Sequence, residues 1–159
     1  VYNSLKACSR VILVGGYNSN DIVALFENDG RVEVVTNPRF ESGMFSSIQA
    51  GCSLVETSNF FLTLGDMPLV SEQTYRQLAM YSDVDAVIPK YRGKKGHPVL
   101  MKNSVAQSIV EFDPEKTMRE VLAAVPTLLI PVDDKNVLQD IDTLEDYQRV
   151  GKLSKGELA

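Results

Sequence analysis

A single histidine, two cysteines and no excess of basic residues narrow what this chain of 159 residues can be. Cys8 and Cys52 have no metal-ligand spacing and lie in stretches that look helical, so no disulfide framework is indicated and a reducing cytoplasm is expected. With 16 Lys and Arg against 21 Asp and Glu, a net charge of -5 gives no electrostatic footprint for a polyanion, and nucleic acid is not an expected partner. No apolar run approaches the roughly 18 residues of a membrane span, and no signal peptide opens the chain, so a membrane is not expected either. Internal repeats, low-complexity tracts and linkers are missing too. One domain over residues 1–151 is therefore expected, followed by a small polar tail at 152–159 that should fray. The first residue is Val, which points to a cut start.

What is present is a 44% hydrophobic content, enough for one sizeable core, distributed in strand-like runs that alternate with helical ones. Strands are expected at Arg10 to Gly15, Val32 to Thr36, Asn59 to Leu64, Asp85 to Pro89, His97 to Met101 (extended) and Thr127 to Val132. Helices are expected at Asp21 to Asn28, Met44 to Val55, Ser71 to Tyr81 with Ser71 as N-cap, Asn103 to Val110, Met118 to Val125, and Thr143 to about Gly151. The alternation predicts an α/β fold, a mainly parallel sheet with helices on both faces.

Four stretches can carry chemistry. The apolar run Phe60-Phe61-Leu62-Thr63-Leu64 ends in Gly65-Asp66-Met67-Pro68, which delivers one carboxylate to the end of a buried strand. Ligands of open α/β sheets sit at such ends, so Asp66 is a candidate ligand for a hard cation, or else a helix cap. Asn37 to Gly51 follows a strand and opens a helix with Ser42, Gly43 and Ser46, whose free N–H groups could meet an anion or a base edge, unless it is an ordinary capped helix. Lys94-Lys95-Gly96-His97-Pro98 holds the only histidine beside two lysines; it suits contact with phosphate or a polar ring, and no acid or nucleophile adjoins it for general-base work. Lys90 and Arg92 extend this basic cluster, which could equally be a solvated loop. Finally, Asp140-Ile141-Asp142-Thr143 offers two carboxylates, one facing a metal while the other caps the last helix with Glu145.

Taken in order, Ser42-Gly43-Met44-x-Ser46-Ser47-Ile48, Leu64-Gly65-Asp66-Met67-Pro68, Gly96-His97-Pro98-Val99-Leu100 and Asp140-Ile141-Asp142-Thr143-x-Glu145-Asp146 resemble the MobA-like NTP transferase family, and within it the cytidylyltransferases of the molybdenum cofactor. The resemblance implies a Rossmann-like three-layer sandwich of the nucleotide-diphospho-sugar transferase type. It implies transfer of a nucleoside monophosphate from CTP or GTP to molybdopterin, Mg²⁺-dependent and with release of pyrophosphate, and a molybdoenzyme as a further partner. Asp66, Asp140 and Asp142 would hold the metal, with Asp66 and Asp142 catalytic. Ser42, Gly43 and Ser46 would lie near base and ribose, Gly65 beside Asp66, and Gly96 and His97 in the pocket of the second substrate.

One motif of the family is not found. Its Gly-rich loop of the type Leu-Ala-Ala-Gly-x-Ser-x-Arg-Met-Gly, followed by Lys, has no counterpart, and Val11 to Tyr17 corresponds to the family's second strand. The fold is therefore expected to lack the first strand and the phosphate loop. Poor triphosphate binding by these residues alone is expected, together with two open sheet edges that favour a homo-oligomer. Two other functions stay open: a sugar-phosphate nucleotidyltransferase of the same fold, and a non-catalytic module that binds and delivers a cofactor.

Overall fold

The computed structural model describes residues 1–17 and 19–148. A short helix α1 (Tyr2–Leu5) leads into β1 (Val11–Gly15), α2 (Ser19–Phe26) and β2 (Val32–Thr36). A 3-10 turn at Phe40–Ser42 opens α3 (Met44–Cys52), then come β3 (Asn59–Leu62), α4 (Glu72–Ala79), β4 (Ala86–Tyr91), β5 (Lys94–Lys95) and β6 (Val99–Lys102). The chain continues through α5 (Asn103–Glu111), α6 (Met118–Ala124), β7 (Thr127–Pro131) and a 3-10 turn at Lys135–Leu138. Residues 144–148 are helical; the rest of the expected last helix and the tail at 152–159 lie outside the described residues. No helix among the described residues is long and apolar enough to cross a membrane.

The architecture is a mixed α/β sandwich. β1 and β2 pair in parallel, Val11 with Val32 through Gly15 with Thr36. The second sheet has the order β3-β6-β4-β5, with β7 joined in parallel to β4. β6 runs antiparallel to both β3 and β4, so the sheet is more mixed than alternation along the chain suggests. The reason is local: β4 and β6 are linked by a hairpin and not by a helical crossover, and a hairpin reverses direction.

Strand alternation splits the core in two. Ala86, Ile88, Val99 and Met101 face α3, α5 and α6, while Val87 and Leu100 face α4 through Tyr75 and Leu78. Successive strand residues point to opposite faces, and this gives the helix–sheet–helix layering. Leu78, Met101 and Ile109 are wholly buried, each worth about 1.5–3 kcal/mol relative to exposure. The two buried faces leave the ends of the strands as the open rim.

Between β1 and β3 no strand runs among the described residues. Instead a cavity of about 700 Å³ is lined by Val11, Ile12, Leu13 and Val14 on one side and Phe60, Phe61 and Leu62 on the other. Both strands have a ladder partner on one side only, β1 with β2 and β3 with β6. The expected gap in the sheet lies here, and the two open edges face each other across it. The Cys52 thiol is buried and pushed up to about 12 by desolvation, which leaves it unreactive.

One carboxylate locks two distant elements. Ser71 caps α4 through Thr74 N–H at 3.3 Å, as its sequence predicts. Asp134, in the turn after β7, accepts from Ser71 N–H at 3.0 Å, from Thr74 Oγ1 at 2.8 Å and from Asn136 N–H at 3.0 Å. Burial pushes its pKa up, but these donors outweigh burial and hold it below the ordinary carboxylate range. A depressed folded pKa means that the stabilisation is complete above the unfolded value and is lost as pH falls through the folded one. Asp134→Ala is therefore expected to cost about 2–3 kcal/mol at neutral pH. It should also flatten the acid limb of stability below about pH 4. Urea unfolding of both proteins from pH 7 to pH 2.5 checks this; parallel acid limbs would disprove it.

Candidate functional site

The candidate residues follow two strand ends: Ser42, Gly43 and Ser46 come after β2, and Gly65 and Asp66 after β3, with Gly96 and His97 leading into β6, the partner of β3. Leu62 is the last residue of β3, and Met67 and Val70 are buried just beyond it. Gly65 and Asp66, between them, are exposed. Asp66 is therefore a solvent-facing carboxylate on a segment pinned by apolar anchors. Its carbonyl accepts from Ile141 N–H at 2.9 Å, which draws the Asp140–Asp142 segment to the end of β3. Both flanking carboxylates are exposed.

The cap of the following helix is not Asp142. Thr143 Oγ1 donates to Asp146 Oδ2 at 2.6 Å and accepts from Asp146 N–H at 3.1 Å, while Thr143 N–H donates to the same carboxylate oxygen. This is a capping box one residue further on, and a hydroxyl suits it better because it both donates and accepts. Asp140 and Asp142 are thus free of cap duty. The oxygen-only donor set of Asp66, Asp140 and Asp142 suits a hard cation such as Mg²⁺, which takes one or two carboxylates and fills its shell with water and substrate phosphate. Among the described residues no three His, Cys, Asp or Glu side chains already converge on one ion.

His97 sits on the other side of this strand end. Burial lowers its pKa, the Leu62 carbonyl that it hydrogen-bonds and the charge of Asp66 raise it, and burial prevails. The ring is therefore neutral at pH 7, and its buried Nδ1 has no partner. The main-chain N–H of His97 donates to Val137 O at 2.9 Å, and the His97–Pro98 peptide that follows is cis. Gly96 before it is buried against the same carbonyl, which a Cβ would meet at 2.2 Å.

The expected basic loop forms a hairpin. Arg92 at φ 46° and Gly93 at φ 88° make the two-residue turn between β4 and β5, a left-handed pair that glycine accepts readily. Lys90 stands opposite Lys95, and Tyr91 opposite Lys94, with the Arg92 guanidinium 5.4 Å from the Tyr91 ring centre. Lys94 and Lys95 are exposed. Like charges directly opposed cost some stability, and they place positive potential beside His97 in an otherwise acidic protein.

At β2 the loop to α3 is built on Asn37. This buried side chain donates to Ser46 Oγ at 2.8 Å and Ser47 Oγ at 3.0 Å and accepts from Arg39 N–H at 2.9 Å. Ser46 Oγ lies 2.8 Å from the carbonyls of both Arg39 and Gly43. The structure thus buries Ser46, which the resemblance puts near base and ribose, and its hydroxyl braces the loop. Asn37 is the organising residue that the sequence did not single out; its position between a strand end and Pro38 was the only signal. Ser42 and Gly43 stay exposed. Gly43, at φ 95°, opens α3 without any side-chain cap; Ser46 N–H donates to Gly43 O at 3.2 Å, and the N–H groups of Met44 and Phe45 remain available to a ligand.

The MobA-like NTP transferase domain matches residues 1–130. The chain is 29% identical over 147 residues to molybdenum cofactor cytidylyltransferase of Escherichia coli K12, covering 92% of this chain and 77% of that protein. It is 28% identical over 158 residues to nicotine blue oxidoreductase of Paenarthrobacter nicotinovorans, covering 90% and 76%. Among solved structures, Rv0371c of Mycobacterium tuberculosis H37Rv in complex with manganese superposes with a TM-score of 0.75 at 24% identity, over 94% of this chain and 82% of that one.

Proposed function

The chain belongs to the MobA-like NTP transferase family, and from that premise we propose that it transfers a nucleoside monophosphate from CTP to the phosphate of molybdopterin. The reaction class is nucleotidyl transfer. A phosphate oxygen of the acceptor forms a bond to the α-phosphorus, the bond from that phosphorus to the β-phosphate oxygen breaks, and pyrophosphate leaves. The nucleophile is already ionised at neutral pH, so no general base is needed, in keeping with a neutral, half-buried His97. Catalysis then rests on positioning and charge neutralisation.

The observation that carries the reading is the Ile141 N–H bond to the Asp66 carbonyl at 2.9 Å. It brings two acidic segments, distant in sequence, to one strand end beside Gly96 and His97. In this reading Asp66 with Asp140 or Asp142 holds Mg²⁺, which supplies charge neutralisation of the phosphates when bound. Ser42 and Gly43 approach the nucleotide, Ser46 keeps their loop in shape, and Gly96 and His97 line the acceptor pocket while Lys94 and Lys95 attract its phosphate. Delivery of the product to a molybdoenzyme would follow.

The full-length gene product, incubated with molybdopterin, Mg²⁺ or Mn²⁺ and either CTP or GTP, is expected to release pyrophosphate with CTP and in proportion to acceptor consumed. Release with a sugar 1-phosphate and none with molybdopterin would overturn the choice of acceptor. Binding of both ligands without pyrophosphate would replace the enzyme by a carrier.

A further inference from the structure

Tyr17 and Phe40 lie beyond the carboxyl ends of β1 and β2, before the helix start at Gly43, and have no part in the scheme above. Tyr17 follows the last residues of β1, Phe40 follows β2, and their ring centres are 6.3 Å apart at 62° in an edge-on pair. Tyr17 is 85% exposed. Full exposure of an aromatic ring at a strand end forgoes the gain that burial would bring. The ring is nevertheless held against a stiff support. Gly16 leaves the room that Phe40 needs, since a Cβ there would lie 3.0 Å from Phe40 Cβ. The Phe40 loop is itself fixed by the bonds of Asn37 to Arg39 and Ser46. Next to Phe40, whose carbonyl accepts from Gly43 N–H at 3.1 Å, α3 starts without a side-chain cap and leaves the N–H groups of Met44 and Phe45 without an acceptor among the described residues.

We propose that Tyr17, backed by Phe40, is a stacking platform for the planar heteroaromatic ring of one of the two substrates. This inference rests on the proposed function and adds to it the group that grips the ring. A flat, polarisable ring with hydrogen-bonding edges fits an exposed aromatic face next to unsatisfied N–H donors better than an aliphatic or protein surface does. Such stacking is tolerant of ring identity. Both the base of the triphosphate and the pterin of the acceptor have this chemistry, and the experiment separates them.

Calorimetric titration of the full-length protein with CTP, GTP and a 6-substituted pterin is carried out on wild type, Tyr17→Ala and Tyr17→Phe. At so exposed a position neither substitution disturbs the core. The expected result is affinity about 10- to 100-fold weaker in Tyr17→Ala for one ring class and unchanged in Tyr17→Phe. Loss with both triphosphates assigns the platform to the base, and loss with the pterin assigns it to the acceptor. Wild-type binding that Tyr17→Ala retains for every probe would overturn the platform while leaving the transferase reading intact. A wild-type protein that binds none of the three would overturn both.

Discussion

Asp66→Asn is expected to lower metal-dependent pyrophosphate release by about 10²- to 10³-fold while leaving the fold unchanged, because removing one charge-stabilising group at a phosphoryl-transfer centre has effects of that order. Asn keeps the shape of the side chain and halves its value as a ligand for a hard cation. Asp66 is exposed and makes no hydrogen bond or ion pair through its carboxylate among the described residues. Its contribution to the fold is its main-chain bond from Ile141, which the substitution retains. Thermal unfolding should therefore match wild type, as for an ordinary surface change. A metal titration of turnover distinguishes a ligand from a merely nearby charge: the midpoint should move to higher metal concentration in Asp66→Asn. The same assay on Asp140→Asn and Asp142→Asn identifies the second carboxylate, since Thr143 relieves both of capping. Wild-type rate and midpoint in Asp66→Asn would remove this residue from the metal site.

Features set by short-range chemistry were legible in the sequence. The Ser71 cap and the parallel strand pair around Val32 to Thr36 each follow from a few adjacent residues, whereas the strand expected to run buried to Leu64 stops at Leu62 and is only half-buried, since one of its edges has no ladder partner. The four motifs also announced the family before any geometry was known. What stayed hidden depends on partners far along the chain. The hairpin at Arg92 and Gly93 reverses the direction of β6, and a basic stretch gives no sign of which strand it will pair with. That Asn37 would hold the hydroxyl of Ser46 shows only once the loop is folded. Asp142 and Thr143 are both good cap residues, and the choice between them fell to Asp146. Nothing adjacent to Asp134 in sequence indicates that it ties α4 to the turn after β7.

Gly96→Ala is expected to be the most destabilising of these substitutions, at about 3 kcal/mol or more, because overpacking against backbone cannot be relieved by a side-chain rotation. A Cβ at this position would lie 2.2 Å from the Val137 carbonyl oxygen, 2.8 Å from its carbonyl carbon and 2.8 Å from Val137 Cγ2. Val137 cannot retreat, since its side chain is fully buried among Met67, Val70 and Ile130. Relief requires the hairpin and the turn at Lys135–Leu138 to separate, which breaks the bond from His97 N–H to Val137 O. Glycine is needed here for space, in contrast to Gly93, which has a φ of 88° and nothing within 4 Å of a built Cβ. Gly93→Ala is thus a control that carries backbone strain alone, of order 1 kcal/mol. Urea unfolding should rank Gly96→Ala well below Gly93→Ala and wild type, and equal stability of the two variants would disprove the packing account. Because Gly96 holds the turn that precedes Asp140, the folded fraction of Gly96→Ala should also be impaired in turnover. The displaced turn carries the Asp140–Asp142 segment away from Asp66, so a small residue in the acceptor motif acts on the metal end of the site through the backbone it touches.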